Sequence, residues 1–189
     1  AVRSKLMRLA ACLLVILAVP ATLCGFAFAL PAQYDQAYLA GLQDKWDALA
    51  AAPSPRIVIA GGSGAAFGVR CDLLEQELPG YSVVNFGLYA GLGTTVTLEL
   101  IRPLLRSGDI VIFSPEQSAQ TLSDFFHAPS MWQAADGRPE LLSALDGRRW
   151  GPLAGAFPAF AGDKARLCRD GSAPAGEGVY ARSSFNHYG

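Results

Sequence analysis

Three short apolar runs, each closed by a polar or glycine-rich turn, limit what this chain can fold into. Ile57-Val58-Ile59 runs into Gly61-Gly62-Ser63-Gly64. Tyr81-Ser82-Val83-Val84-Asn85-Phe86 runs into Gly87 and then Gly91 to Gly93. Asp109-Ile110-Val111-Ile112-Phe113 runs into Ser114-Pro115-Glu116-Gln117. Apolar runs of this length, rich in β-branched residues, read as buried strands of a parallel sheet. The stretches between them have helical spacing. Phe67 to Leu78 repeats Val69, Leu73, Leu74 and Leu78 on one face before Pro79-Gly80 ends it. Thr94 to Leu105 begins with a capping threonine, Thr94 or Thr95, carries Arg102 and Arg106 near its end, and has Pro103 late in the run. Strand–helix–strand–helix–strand alternation predicts an α/β fold with a parallel sheet and right-handed crossovers. All three polar turns then fall on the carboxyl edge of the sheet, where open α/β sheets bind ligands.

Ser63 stands out on that edge. It follows the first strand directly and opens a helix-compatible segment, Gly64-Ala65-Ala66-Phe67. Backbone N–H groups at a helix start stabilise negative charge, so an oxyanion formed beside Ser63 would meet donors. Two plainer readings compete. Gly-Gly-Ser after a strand can be a turn with serine as helix cap. It can also be a phosphate loop, although the Walker Lys-Ser/Thr pair is absent and GGSGAAFG is not the dinucleotide fingerprint.

Arg3, Lys5 and Arg8 precede an apolar stretch from Leu9 to Leu30 without a charged residue. About 20 such residues span a bilayer. Basic residues before the stretch and Asp35 after it predict a cytoplasmic N-terminus, a single crossing of the cytoplasmic membrane, and an extracytoplasmic domain. Pro20 and Gly25 are expected to kink the helix. The competing reading is a signal peptide cleaved near Ala29, after the small-residue pattern Ala27-Phe28-Ala29, which would release the domain. A lipoprotein signal is disfavoured, because Leu23 is large for the position before Cys24.

The expected organisation is a basic start at 1–8, a transmembrane helix or signal anchor at 9–30, an amphipathic helix and linker at 31–55, and an α/β domain at 56–189. Gln33 to Ala52 spaces Tyr34, Tyr38, Leu39, Leu42, Trp46 and Leu49 helically, with Asp35, Asp44, Lys45 and Asp47 between them. Pro53-Ser54-Pro55 then breaks the chain stiffly. Beyond Gln117 the pattern weakens. Leu122 to Phe126 and Leu141 to Trp150 read as short helices, and Phe157 to Phe160 and Cys168 to Gly178 as loop. Residues 117–189 thus read as an irregular insertion or the start of a second half. Ala1 at one end and Gly189 at the other suggest an excerpt of a longer protein. A net charge of −1 over 189 residues argues against nucleic acid as partner. None of the four cysteines forms a CxxC pair, which weakens metal and redox-motif readings; no metal or cofactor is expected. Cys71 and Cys168 could pair in an oxidising compartment or remain thiols.

Gly61-Gly62-Ser63 after its strand, Val83-Val84-Asn85-Phe86-Gly87 followed by Gly91, and Gly108-Asp109-Ile110-Val111-Ile112 together resemble the SGNH (GDSL-like) hydrolase superfamily. The membrane-anchored, extracytoplasmic branches, those of teichoic-acid D-alanyl transfer and polysaccharide O-acetylation proteins, are the most similar. The resemblance covers Tyr34 to Glu116 and implies a flavodoxin-like three-layer parallel sheet, present here in incomplete form. It implies Ser63 as nucleophile and the N–H groups of Ser63 and of Gly87 or Gly91 as oxyanion donors, with Asn85 and Glu116 lining the site. Three departures stand out. Gly62 replaces the Asp of Gly-Asp-Ser. The third block ends in Ser114-Pro115-Glu116 instead of Gly-x-Asn-Asp, and an ionised Glu116 cannot donate a hydrogen bond. The Asp-x-x-His base is missing from the C-terminal part. Asp124 precedes His127 by three residues, but directly after the third strand, and His187 has no such companion.

The expected activity is that of a serine esterase or acyltransferase working through a Ser63 acyl-enzyme. Its partners would be the lipid bilayer, through the N-terminal helix, and a cell-envelope glycan or acyl donor. The alternatives are a non-catalytic envelope-assembly module of the same fold and a phosphate-binding α/β domain.

Overall fold

The structure, a computed structural model, describes residues 2–117 and 125–188. It is a mixed α/β arrangement around a three-stranded parallel sheet. The strands are β1 (Arg56–Gly61), β2 (Ser82–Asn85) and β3 (Ile110–Ser114), in the order β2-β1-β3. Ile57 pairs with Val83 on one side and with Ile110 on the other, and Gly61 ends opposite Ser114. Both faces of β1 are covered. Val58 and Ala60 enter the main core. Ile57 and Ile59 join a second cluster with Ala65, Cys71 and Val83. A strand buried on both faces needs an unbroken apolar run, and that is how Ile57 to Ala60 is written. β3 is an edge strand and stays half exposed, with Ile110 and Ile112 each near 45%, so the third run is less buried than its composition suggests.

Helix α1 (Val2–Ala29) is continuous through Pro20 and includes Arg3, Lys5 and Arg8. Its 28 residues correspond to roughly 42 Å at 1.5 Å per residue, longer than a hydrocarbon core of about 30 Å. Among the described residues it is the one helix long and apolar enough to cross a membrane. Its C-terminal end meets the domain: Ala27 is buried, and the Phe28 ring lies 6.1 Å from Trp132 and 5.8 Å from Phe157.

Several elements depart from their sequence-based expectations. The amphipathic helix expected over Gln33 to Ala52 is helical only as α2 (Gly41–Ala51), after a single turn at Tyr38–Ala40. Residues before it are held otherwise: the N–H groups of Gln33 and Tyr34 donate to the Asp136 carboxylate at 2.7 and 3.2 Å. The expected helix from Phe67 to Leu78 is two pieces, α3 (Ser63–Gly68) and α4 (Cys71–Glu77), separated by an extended Val69. Helix α5 (Thr94–Ile101) gives way to a tighter turn at Arg102–Leu104, because Pro103 has no N–H to continue the ladder.

The largest departure is C-terminal. Residues read as irregular, including Phe157 to Phe160, form the 21-residue helix α7 (Trp150–Asp170), which runs through Pro158. Leu153, Phe157, Phe160, Lys164 and Leu167 recur at helical spacing, and most pack against the main core. Burial of that stripe outweighs the low propensity of Gly151, Gly155, Pro158 and Gly162. Gly171 ends the helix in the left-handed region (φ 62°), a conformation glycine adopts without penalty. Short helix α6 (Ala128–Ala134) packs against α7 and places Met131 and Trp132 in the main core. Leu141 to Trp150 forms the turns Pro139–Ala144 and Gly147–Arg149 before α7 begins. The segment expected as a short helix over Leu122 to Phe126 lies largely outside the described residues. All four cysteines, Cys71 and Cys168 among them, are free thiols.

Buried ion pairs tie the layers together. Arg56, at the start of β1, pairs with Asp109, just before β3, and also donates to the carbonyls of Leu49 and Leu104. Lys164 of α7 pairs with Asp136 at 2.7 Å. Both pairs have their charged groups almost completely enclosed.

Candidate functional site

β1 delivers Gly61, Gly62 and Ser63 to the carboxyl edge of the sheet, and Ser63 is the first residue of α3. Beside it, the residue following β3 by two, Glu116, turns back over the same edge. Its Oε1 accepts from Ser63 Oγ at 3.3 Å and from Gly64 N–H at 3.0 Å. The carboxylate therefore occupies the start of α3, where unsatisfied N–H groups favour negative charge. Gly62 makes this possible. A Cβ there would overlap Glu116 Oε1 and stand 2.8 Å from Ala90 Cβ. Two positions at which the sequence departs from the pattern it resembles thus meet in space, since the missing side chain at Gly62 leaves the volume that the Glu116 carboxylate fills.

The turn after β2 borders the site through Ala90, in the helical turn Ala90–Leu92 that contains Gly91. Gly87 packs flush on α3, and a Cβ on it would lie 2.7 Å from Ala66 N and 2.8 Å from Ala65 Cβ. Its N–H is directed to Asn85 Oδ1 at 2.9 Å. The oxyanion role expected of Gly87 would require that bond to break. Asn85, expected to line the site, is buried beneath it. Its Nδ2 donates to the carbonyls of Ala65 and Ala66 at 3.0 and 3.3 Å, so the residue clamps α3 to the end of β2.

The two histidines lie elsewhere. His127 caps α6: its Nδ1 contacts Ser130 Oγ at 2.8 Å and accepts from Ser130 N at 3.3 Å. Its companion Asp124 lies outside the described residues. His187 stacks on Tyr188 at 4.1 Å and lines a cleft of about 340 Å³ at the other end of α3, with Arg70, Cys71 and Asp72. Among the described contacts, the group that accepts a hydrogen bond from the Ser63 hydroxyl is Glu116.

Two residues not singled out as functional from the sequence bear on the site. The Tyr38 hydroxyl donates to Leu88 O, and its ring is surrounded by Phe67, Tyr180 and Phe185. Burial, and then the nearby Tyr180 and Glu116, push its pKa far above the ordinary phenol value, so it stays protonated. Lys45 of α2 is completely buried, donates to Asn85 O at 2.9 Å and lies 4.2 Å from the centre of the Phe185 ring. Burial lowers its pKa to about 7. The sequence reading set it among the polar residues of that helix; its spacing of three and four residues from Leu42 and Leu49 is the signal that could have found it. Among the described residues no cluster of histidine, cysteine and carboxylate side chains could hold a metal ion. Comparison with family models, curated proteins and solved structures returned no match to this chain.

Proposed function

We propose that this chain is an SGNH-like serine esterase or acyltransferase domain, tethered by α1 to the cytoplasmic membrane and facing the extracytoplasmic side, with Ser63 as nucleophile toward acyl groups of cell-envelope glycans. The observation that carries the reading is the Ser63–Glu116 contact at the carboxyl end of the central strand. The order β2-β1-β3 adds support, because flavodoxin-like sheets begin that way. In the proposed reaction, Ser63 Oγ attacks an ester carbonyl while its proton passes to Glu116 Oε1. The tetrahedral intermediate collapses, the C–O bond to the leaving alcohol breaks, and that alcohol takes the proton from Glu116. A water or a glycan hydroxyl then attacks the acyl-serine, delivering its own proton to Glu116; the bond from the acyl carbon to Ser63 Oγ breaks, Oγ takes that proton back from Glu116, and the acyl group leaves as acid or as a new ester. As Glu116 becomes neutral it releases Gly64 N–H, which becomes a donor for the oxyanion.

One arrangement favours a second reading, a non-catalytic envelope-assembly module. The Gly64 and Gly87 N–H groups are already engaged by Glu116 and Asn85. The phosphate-binding reading fares worse, since a phosphate at the start of α3 would face the Glu116 carboxylate.

The test is labelling of the full chain in detergent by a fluorophosphonate, with p-nitrophenyl acetate turnover measured in parallel. The catalytic reading expects labelling and turnover that Ser63→Ala abolishes. It expects Glu116→Gln to lower turnover by about 10²–10⁴-fold, the usual worth of a general base. Wild-type protein that neither labels nor turns over ester rejects catalysis in favour of the module.

A further inference from the structure

A cavity of about 720 Å³ lies between the C-terminal third of α1 and the α6–α7 pair and shares no lining residue with the Ser63 turn. Its volume is in the range of small-molecule sites, but its lining is almost entirely carbon. Leu23 and Phe28 of α1 form one wall, Trp132 of α6 the back, and Leu153, Phe157 and Pro158 of α7 the other wall. Trp132 offers no polar atom, because its indole N–H already donates to Leu153 O at 2.9 Å. Water has too few partners to settle there.

The position of the groove indicates its occupant. Pro20 and Leu23 belong both to the wall and to the apolar span of α1. Pro20 lies nine residues before Ala29, roughly 13 Å along the helix, a depth reached by one leaflet of a hydrocarbon core about 30 Å thick. With α1 across a bilayer, the groove opens sideways into the acyl chains of the leaflet adjoining the domain. Half-exposed Trp150 stands at the rim, where indoles sit at membrane interfaces. Small side chains on α7, among them Ala154, Ala161, Gly162 and Ala165, leave the space open. Hydrocarbon gains little by moving from lipid to protein, but a void forfeits its dispersion contacts, so a chain that fits will fill it.

We infer that the α1–α7 groove is a binding site for one fatty-acyl chain of a membrane lipid, drawn laterally from the leaflet next to the domain. The inference rests on α1 spanning the bilayer and is independent of any chemistry at Ser63.

The experiment uses the full chain reconstituted in phosphatidylcholine vesicles containing a phosphatidylcholine with a diazirine on its acyl chain. After irradiation, adducts are mapped by peptide mass spectrometry. The expected result is adducts on α7 between Trp150 and Ala165 as well as on α1. Gly162→Leu points a side chain into the groove, where a Cβ meets nothing within 4 Å. It should cut α7 labelling about ten-fold, a 1.4 kcal/mol change in occupancy, and leave labelling of Leu9 to Leu17 unchanged. Gly155→Leu, equally unobstructed but outside the groove, controls for added helix propensity and should label like wild type. Circular dichroism confirms that each variant is folded. Ala154→Leu replaces Gly162→Leu if the latter misfolds. Absence of α7 adducts, or α7 adducts that the filled groove leaves unchanged, overturns the inference.

Discussion

Lys45 offers the most quantitative test of the packing. Its ammonium group is enclosed by β2, the Cys71 side and Phe185, with Asn85 O at 2.9 Å as its hydrogen-bond acceptor. Burial lowers its pKa from 10.5 to about 7, with Cys71 and Asp44 partly opposing. The sign follows from proton counts. Below about pH 7 the amine is charged in both folded and unfolded chains, and the full cost of burying charge applies. Above about pH 10.5 it is neutral in both and the cost vanishes. In between the unfolded chain holds more protons, so native stability rises with pH. Between about pH 6 and pH 10 these values amount to about 4 kcal/mol, at 1.36 kcal/mol per pKa unit. Lys45→Met removes the titration. The variant should be more stable than wild type at pH 6. At pH 10 the advantage should disappear, and the lost hydrogen bond, about 1 kcal/mol, should leave the variant slightly weaker. At 2–4 °C per kcal/mol for a chain of this size, the Tm difference should swing by about 8–16 °C. Thermal unfolding of both proteins in detergent, followed by circular dichroism across that pH range, measures it. A Tm difference that does not change with pH would refute a buried, deprotonating Lys45.

Two further predictions concern the enclosed carboxylates. Arg56 and neighbouring N–H groups hold the Asp109 pKa down to about 2, from 3.8. Its stabilisation is complete above the unfolded value and is lost as pH falls through the folded one. About 2 kcal/mol should therefore disappear between roughly pH 4 and pH 2, and Asp109→Asn should lack that step while losing about 3–5 kcal/mol at neutral pH, both read from urea or thermal unfolding. Asp136→Asn keeps an acceptor for the N–H groups of Gln33 and Tyr34 but strands the Lys164 charge. It should cost a similar 3–5 kcal/mol, and Asp136→Asn with Lys164→Met should recover most of the loss; failure to recover would show that the pair is not the cause.

What was legible in the sequence was local. Ile57 to Ala60, Val83 to Asn85 and Ile110 to Phe113 declare strands because apolar β-branched runs between glycine and polar turns suit little else. Leu9 to Leu30 declares an apolar helix because it contains no charge. Ser63 could be placed after the first strand because chain order fixes which turn follows it. The C-terminal helix was hidden for an equally local reason. Gly155, Pro158 and Gly162 lower helix propensity, and the stripe from Leu153 to Leu167 is worth its full burial only once α6 and the core are there to cover it.

The site shows the same division. Strand alternation alone brings Ser63, the Gly87–Gly91 turn and Glu116 to one edge. Which of them touch depends on atoms far apart in the chain. Glu116 reaches the start of α3 because Gly62, more than fifty residues earlier, leaves room for it. Asn85 takes the Gly87 N–H because its own amide is held by Ala65 and Ala66. Lys45 is polar by composition and buried by position, and its altered proton affinity arises only when β2 and Phe185 close over it. The sequence by itself determined the three strands, their order, the N-terminal apolar helix and the edge where the polar turns meet, because backbone preference and hydrophobic period act over a few residues. Only the tertiary structure decided the partners of Ser63, the charge state favoured at Lys45 and the apolar groove between α1 and α7, because burial and hydrogen-bond competition depend on groups that folding alone brings together.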